Sequence, residues 1–204
     1  MARRPAKSKS RTSSRPRRGT VEGTRERLVA AAAEEFATAG FDGTDSTKIS
    51  TRAGYAAGTF YKHFEDKREI FIAAYARWVD NEWTTVREVL GEYGDPKERS
   101  KALVHFYLDL HAKSRVFRAS LRVLAATDAV VRREYQAQRK RQLDWLKQIR
   151  GGRKTSGRER DALLLYTLER AGDALADGED KVLGLNRAAL GTLIEDLLES
   201  AFRD

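Results

Sequence analysis

Residues 44–64 read TDSTKISTRAGYAAGTFYKHF, and this stretch decides the fold. Thr44 or Asp45 offers a side-chain oxygen to the free N–H groups of a short helix running through Ile49 and Ala53, which Gly54 ends. A second short helix covers Ala57 to His63. Two helices joined by a turn of about three or four residues make a helix-turn-helix, whose first helix braces while the second enters the major groove of DNA. Ile49, Ala53 and Phe60 are the positions for burial, and Gly54 sits where the turn would resist a side chain. Ala57, Gly58, Thr59, Tyr61, Lys62 and His63 are left mostly outward, with small residues first, so that the backbone there can approach a duplex.

Upstream, Leu28, Val29, Ala32, Phe36 and Ala39 recur at helical steps from Thr24 until Gly40 stops them. Downstream, Asp66 is placed to cap a long helix carrying Ile70, Phe71, Ala74, Tyr75, Trp78, Val79, Val86 and Leu90. Further helical periods cover 96–113, 116–126, 128–150, 158–176 and 186–202, and no stretch alternates as a strand would. The expected fold is therefore all-α with about nine helices. A three-helix unit spans residues 21–66 and a helical bundle spans residues 67–204.

Composition narrows the function. The 204-residue chain has no cysteine, which removes disulfides, thiolate metal sites and a cysteine nucleophile. With 41% hydrophobic residues and a mean hydropathy of −0.62, it has no apolar run near the roughly 18 residues of a membrane span, so a soluble, cytoplasmic protein is expected. The net charge of +9 is unevenly placed: residues 1–20 hold eight cations and no acid, whereas residues 21–68 carry 7 cations against 8 acids. With two prolines and almost nothing apolar, that N-terminal segment reads as a disordered basic arm, either a solvated linker or a phosphate-contacting tail near the nucleoid. A second basic stretch, Arg132 to Arg160, is either a solvated helix face or a partner for the acidic C-terminal helices. The three histidines, His63, His105 and His111, are not spaced as a metal pair, and no nucleophile motif or phosphate-binding loop is present, so neither an enzyme nor a cofactor is expected.

Leu28, Val29, Ala31, Ala32, Phe36, Gly40 and Phe41, then Gly43, Thr44, Ile49, Ala53 and Gly54, then Gly58, Thr59, Phe60, Tyr61, His63, Phe64 and Lys67 resemble the TetR family of transcriptional regulators over about residues 24–72. The resemblance implies phosphate contacts from Thr44, Thr59, Tyr61 and Lys67. It places Thr47, Ala57, Lys62 and His63 facing the major groove, and Lys48 reads as either solvated or phosphate-positioning. Hydroxyls and a lysine near helix N-termini suit phosphate, and Lys62 can donate to guanine. Two positions depart from the family: Ala56 stands where a serine often caps the third helix, and Tyr55 replaces a small aliphatic residue.

The same resemblance implies a small-molecule effector bound among the later helices and a homodimer. Tyr75, Trp78, Phe106, Leu110, His111, Phe117, Leu121, Arg122 and Trp145 are the candidate ligand-binding residues, although such aromatic stripes also suit an ordinary core. Leu164, Leu168, Leu190, Leu193 and Leu197 lie on a stripe wider than one intramolecular contact needs, with Gly172 and Gly191 permitting close helix approach, so a four-helix dimer interface is expected, with plain core as the rival. The resulting expectation is a repressor on a near-palindromic double-stranded operator, released by an unknown effector. The alternative is a sequence-tolerant nucleic-acid-binding protein relying on its arm.

Overall fold

The computed structural model describes residues 19–149 and 157–203. The basic arm up to residue 18 and the glycine-rich segment 151–156 lie outside the described residues. In chain order the elements are α1 (Val21–Ala39), α2 (Ser46–Arg52), a 3₁₀ segment (Ala57–Lys62), α3 (Lys67–Glu92), α4 (Pro96–Thr127), α5 (Ala129–Ile149), α6 (Arg158–Asp177), α7 (Glu179–Val182) and α8 (Arg187–Arg203). Every regular element among the described residues is helical, as the periodicities require.

The local chemistry explains where the elements begin. α1 starts at Val21 rather than Thr24, because Thr20 Oγ1 accepts from the Gly23 N–H at 3.0 Å. Asp45 and Asp66 cap α2 and α3, accepting from the N–H groups of Lys48 and Glu69 at 2.8 Å each. The third helix is 3₁₀ rather than α: Ala56 gives no side-chain cap, and Thr59 and His63 donate three residues back, to Ala56 and Phe60, at 2.9 Å each.

The largest difference from the expected layout is α4, one helix of 32 residues where a break between Lys113 and Val116 was expected. No glycine or proline interrupts that point, and His111, Ser114, Phe117, Arg118 and Leu121 continue a single buried stripe through it. The four-residue α7 was not anticipated from the sequence.

One apolar cluster joins both ends of this arrangement. Leu28, Phe36, Ile49, Phe60 and Phe64 from the N-terminal helices pack with Ile70, Phe71, Val79, Phe117 and Val131 in a continuous core. The apolar core therefore runs across the boundary expected at residue 66. A second cluster, Leu103, Val104, Leu175, Ile194 and Leu198, binds α4 to α6 and α8. No helix among the described residues is long and apolar enough to cross a membrane.

Candidate functional site

The turn after α2 is made as the sequence suggests. Gly54 adopts φ +80°, and Tyr55 donates to the Ser50 carbonyl at 2.9 Å while its ring packs against the core. The turn presents the 3₁₀ segment at the surface. Thr47, Lys48, Ala57, Gly58, Tyr61 and Lys62 are exposed, Tyr61 to 64%, whereas Thr59 and His63 are half-buried. The Tyr61 hydroxyl lies 3.0 Å from Ser46 Oγ, which fixes the ring's outward direction, and the space beyond the Gly58 Cα is open. Exposed hydroxyls and ammonium groups around a glycine of this kind can meet phosphate oxygens and base edges together.

Thr44 and Lys67 also make contacts within the chain. Thr44 is buried and donates its hydroxyl to the Gly40 carbonyl at 2.8 Å. Lys67 donates from Nζ to the Phe41 and Thr44 carbonyls at 2.8 and 3.0 Å and rests over the Phe41 ring. Both therefore tie down the loop between α1 and α2. Lys48 likewise donates to the Gly43 carbonyl at 2.7 Å but keeps an exposed side chain, and Arg52 is paired with Glu34 and Glu35.

Behind this surface, α3, α4, α5, α6 and α8 enclose a cavity of about 90 Å³. Five of the nine expected ligand-binding residues line it: Tyr75, Trp78, Phe106, His111 and Leu121. The other four lie elsewhere. Phe117 is buried between Trp78 and Phe71, Trp145 packs on Trp83 at 5.3 Å, Leu110 is half-buried off the wall, and Arg122 reaches Asp173 from an exposed position. Trp83, Tyr107 and Arg118 also line the cavity, as do Glu82, Arg139, Gln142 and Glu169, which the sequence did not single out. Glu82 was findable, since it falls one helical step after Trp78 and before Val86 on the buried stripe of α3.

The polar wall is an ion network drawn from three helices. Asp173 of α6 accepts from Arg118 Nε at 2.6 Å, from His111 Nδ1 at 3.0 Å and from Arg122. Burial alone would raise the Asp173 pKa, but these donors and the positive charges of Arg118 and Arg122 hold it well below the usual carboxylate range. Burial dominates at His111 and lowers its pKa, so the imidazole is neutral and donates to the carboxylate. Arg118 also donates to Glu169 at 2.8 Å, and Glu169 pairs with Arg139 from α5. This pairing realises, at one position, the expected contact between the second basic stretch and the acidic C-terminal helices.

Gly172 lets α6 approach α4 closely at this network: a Cβ there would stand 2.6 Å from His111 Nδ1 and 2.7 Å from the Tyr107 ring. The five leucines expected at a dimer interface divide into two groups. Leu164 and Leu168 line the cavity and Leu190 packs against the second core cluster, whereas Leu193 and Leu197 are exposed to 63% and 37%. Leu163 and Tyr166 of α6, exposed to 65% and 60%, were not among the five, and with Leu193 and Leu197 they put an apolar face on the outer side of α6 and α8.

Residues 28–74 match the family model described as bacterial regulatory proteins, tetR family. An HTH-type transcriptional activator, FasR, from Mycolicibacterium smegmatis is 33% identical over 107 residues, which is 52% of this chain and 47% of that protein. The match thus spans about half the length of this curated relative. A transcriptional regulator from Rhodococcus sp. Rha1 superposes with a TM-score of 0.61 at 25% identity, covering 88% of this chain and 94% of its own. The regulator FadR from Bacillus subtilis, solved with stearoyl-CoA, shares the fold with a TM-score of 0.62 at 18% identity, covering 86% and 98% of the two chains.

Proposed function

We propose, from the match of residues 28–74 to the tetR family of bacterial regulatory proteins, that the chain is a DNA-binding regulator of transcription and a homodimeric repressor released from a near-palindromic operator by a small molecule. The observation that carries this reading is the exposed Tyr61 and Lys62 surface within the family-matched residues. In this scheme residues 21–66 read DNA, residues 67–204 bind the effector in the cavity between α3 and α6, and the outer face of α6 and α8 joins two protomers. Two reading heads then address two half-sites, and an effector that favours a different head spacing weakens the complex. The acyl-CoA held by the Bacillus subtilis neighbour supports a ligand response in this fold.

Footprinting and gel shifts on DNA flanking the gene test the proposal. Saturable binding of a two-fold-symmetric site is expected. Lys62→Ala is expected to lose about 1–3 kcal/mol of operator affinity and to relax base preference at one position of each half-site. Deleting residues 1–18 should instead weaken all sequences equally and flatten the salt dependence, because eight cations leave with the arm. Loss of all binding with the arm, and none with Lys62→Ala, would favour the sequence-tolerant alternative.

The name of the Mycolicibacterium smegmatis relative favours a second reading, in which the bound chain activates transcription. A reporter driven by the bound promoter separates the two: deleting the gene raises expression from a repressed promoter and lowers it from an activated one.

A further inference from the structure

We infer that the cavity takes an organic cation, a small ammonium-bearing molecule whose nitrogen sits against the Glu82 carboxylate and whose apolar body lies among the aromatic rings. The inference rests on the reading of this cavity as the effector site and adds the chemical class of the effector.

Three polar atoms at the cavity-lining residues are closed to solvent and lack a hydrogen-bond partner: Glu82 Oε2, Trp83 Nε1 and the Tyr107 hydroxyl. Native interiors leave few such atoms, and each costs stability until something meets it. Glu82 is the one whose demand is charged.

The surrounding charges do not answer it. Arg118 is taken by Asp173 and Glu169, and Arg139 by Glu169, the Tyr135 hydroxyl and Gln142 Oε1, so neither donates to Glu82 Oε2. On the cavity wall, Arg118 and Arg139 therefore face three carboxylates, Glu82, Glu169 and Asp173. Arg122, the next cation, has 48% of its side chain exposed and is also drawn toward Asp177. A ligand carboxylate would add a fourth negative group beside arginines already engaged, whereas an ammonium restores the balance.

Tyr75, Trp78, Trp83, Phe106 and Tyr107 supply the rest of the fit. Aromatic faces attract cations, and this wall already does so once, with the Arg118 guanidinium 5.5 Å from the Trp78 ring centre. Burial pushes the Glu82 carboxyl up to about 7 against the pull of Arg118 and Arg139, and a ligand cation beside it would favour the carboxylate.

The test compares three probes with the same carbon chain: n-butylammonium, 1-butanol and butyrate. Binding to the full-length protein at pH 8 is followed by the indole N–H resonance of Trp83, assigned with Trp83→Phe. The expected order is ammonium, alcohol, carboxylate, with the ammonium about tenfold or more ahead of the alcohol. Glu82→Gln should erase that lead while the Trp83 signal still reports the alcohol. Equal or better binding of the alcohol or butyrate, a lead that survives Glu82→Gln, or no binding of the ammonium overturns the inference. The head-group order in the wild-type protein stands as evidence even if the variant folds poorly. A gel shift keeps the two readings apart: release of operator by a carboxylate or thioester, with amines inert, removes the cation and leaves the effector response standing.

Discussion

Asp173→Ala is expected to cost about 3–5 kcal/mol of stability, because it strands Arg118 in the interior beside a histidine that has lost its acceptor. The side chain of Arg118 is only 6% exposed, so water cannot replace the lost carboxylate. At this size each kcal/mol moves the melting temperature by about 2–4 °C, giving a drop of roughly 6–20 °C when both proteins are melted at one protomer concentration. Asp173→Asn keeps the volume and removes only the charge. A similar loss for both variants assigns the effect to the ion network, and a loss confined to alanine assigns it to packing.

The pH profile gives the sign independently. The Asp173 pKa is depressed in the folded protein, so its stabilisation is complete above the unfolded carboxylate value near 4 and disappears as pH falls through the folded value. The Asp173 carboxylate's own share of the gap between wild type and Asp173→Ala should therefore be full above pH 5 and close in stronger acid. His111, whose folded pKa is lowered, works in the same direction at higher pH: unfolded chains take up its proton below about 6.5 and the folded protein resists it. Both proteins should thus lose stability on acidification, with Asp173→Ala losing less of it below pH 4.

That network marks what the sequence could and could not reveal. The reading head was legible because its signals are local: Asp45 and Asp66 as caps, Gly54 as the turn, Ile49 and Phe60 as the buried spacing. The loop contacts of Thr44 and Lys67 were not legible, because their partners are carbonyls exposed by the loop's own path. The charged wall was hidden for a related reason. Arg139, Glu169 and Asp173 come from two helices, and each alone reads as surface. What betrays such groups is phase: Glu82, Arg118 and Asp173 each fall on the apolar stripe of their own helix.

Phe71→Ala is expected to cost about 3–5 kcal/mol, as a fully buried aromatic side chain removed from a tight core. Its position gives it a second effect. The Phe71 ring lies 4.9 Å from Phe36 of α1 and 5.3 Å from Phe41 in the loop that follows, and 4.9 Å from Phe117 of α4, which in turn lies 6.2 Å from Trp78 on the cavity wall. The same junction is pinned by the Phe41 N–H, donated to Ser120 Oγ at 2.9 Å, and by Arg68, paired with Asp128 at 3.3 Å. A shift of Trp78 on ligand binding therefore has a packed route to the helices that carry Tyr61 and Lys62.

Contact alone does not show that free energy travels this way, so the measurement has to be a coupling. Phe71→Leu keeps the site apolar at a stability cost of about 1 kcal/mol, which leaves a folded protein to titrate. Operator affinity is measured with and without saturating effector in both proteins. If the ring stack carries the response, Phe71→Leu should bind operator and effector singly much as the wild type does, while the effector's influence on operator affinity shrinks by about 0.5–2 kcal/mol. An unchanged ratio would assign the response to the Ser120 and Arg68 ties instead, and Ser120→Ala would then be the variant that loses it.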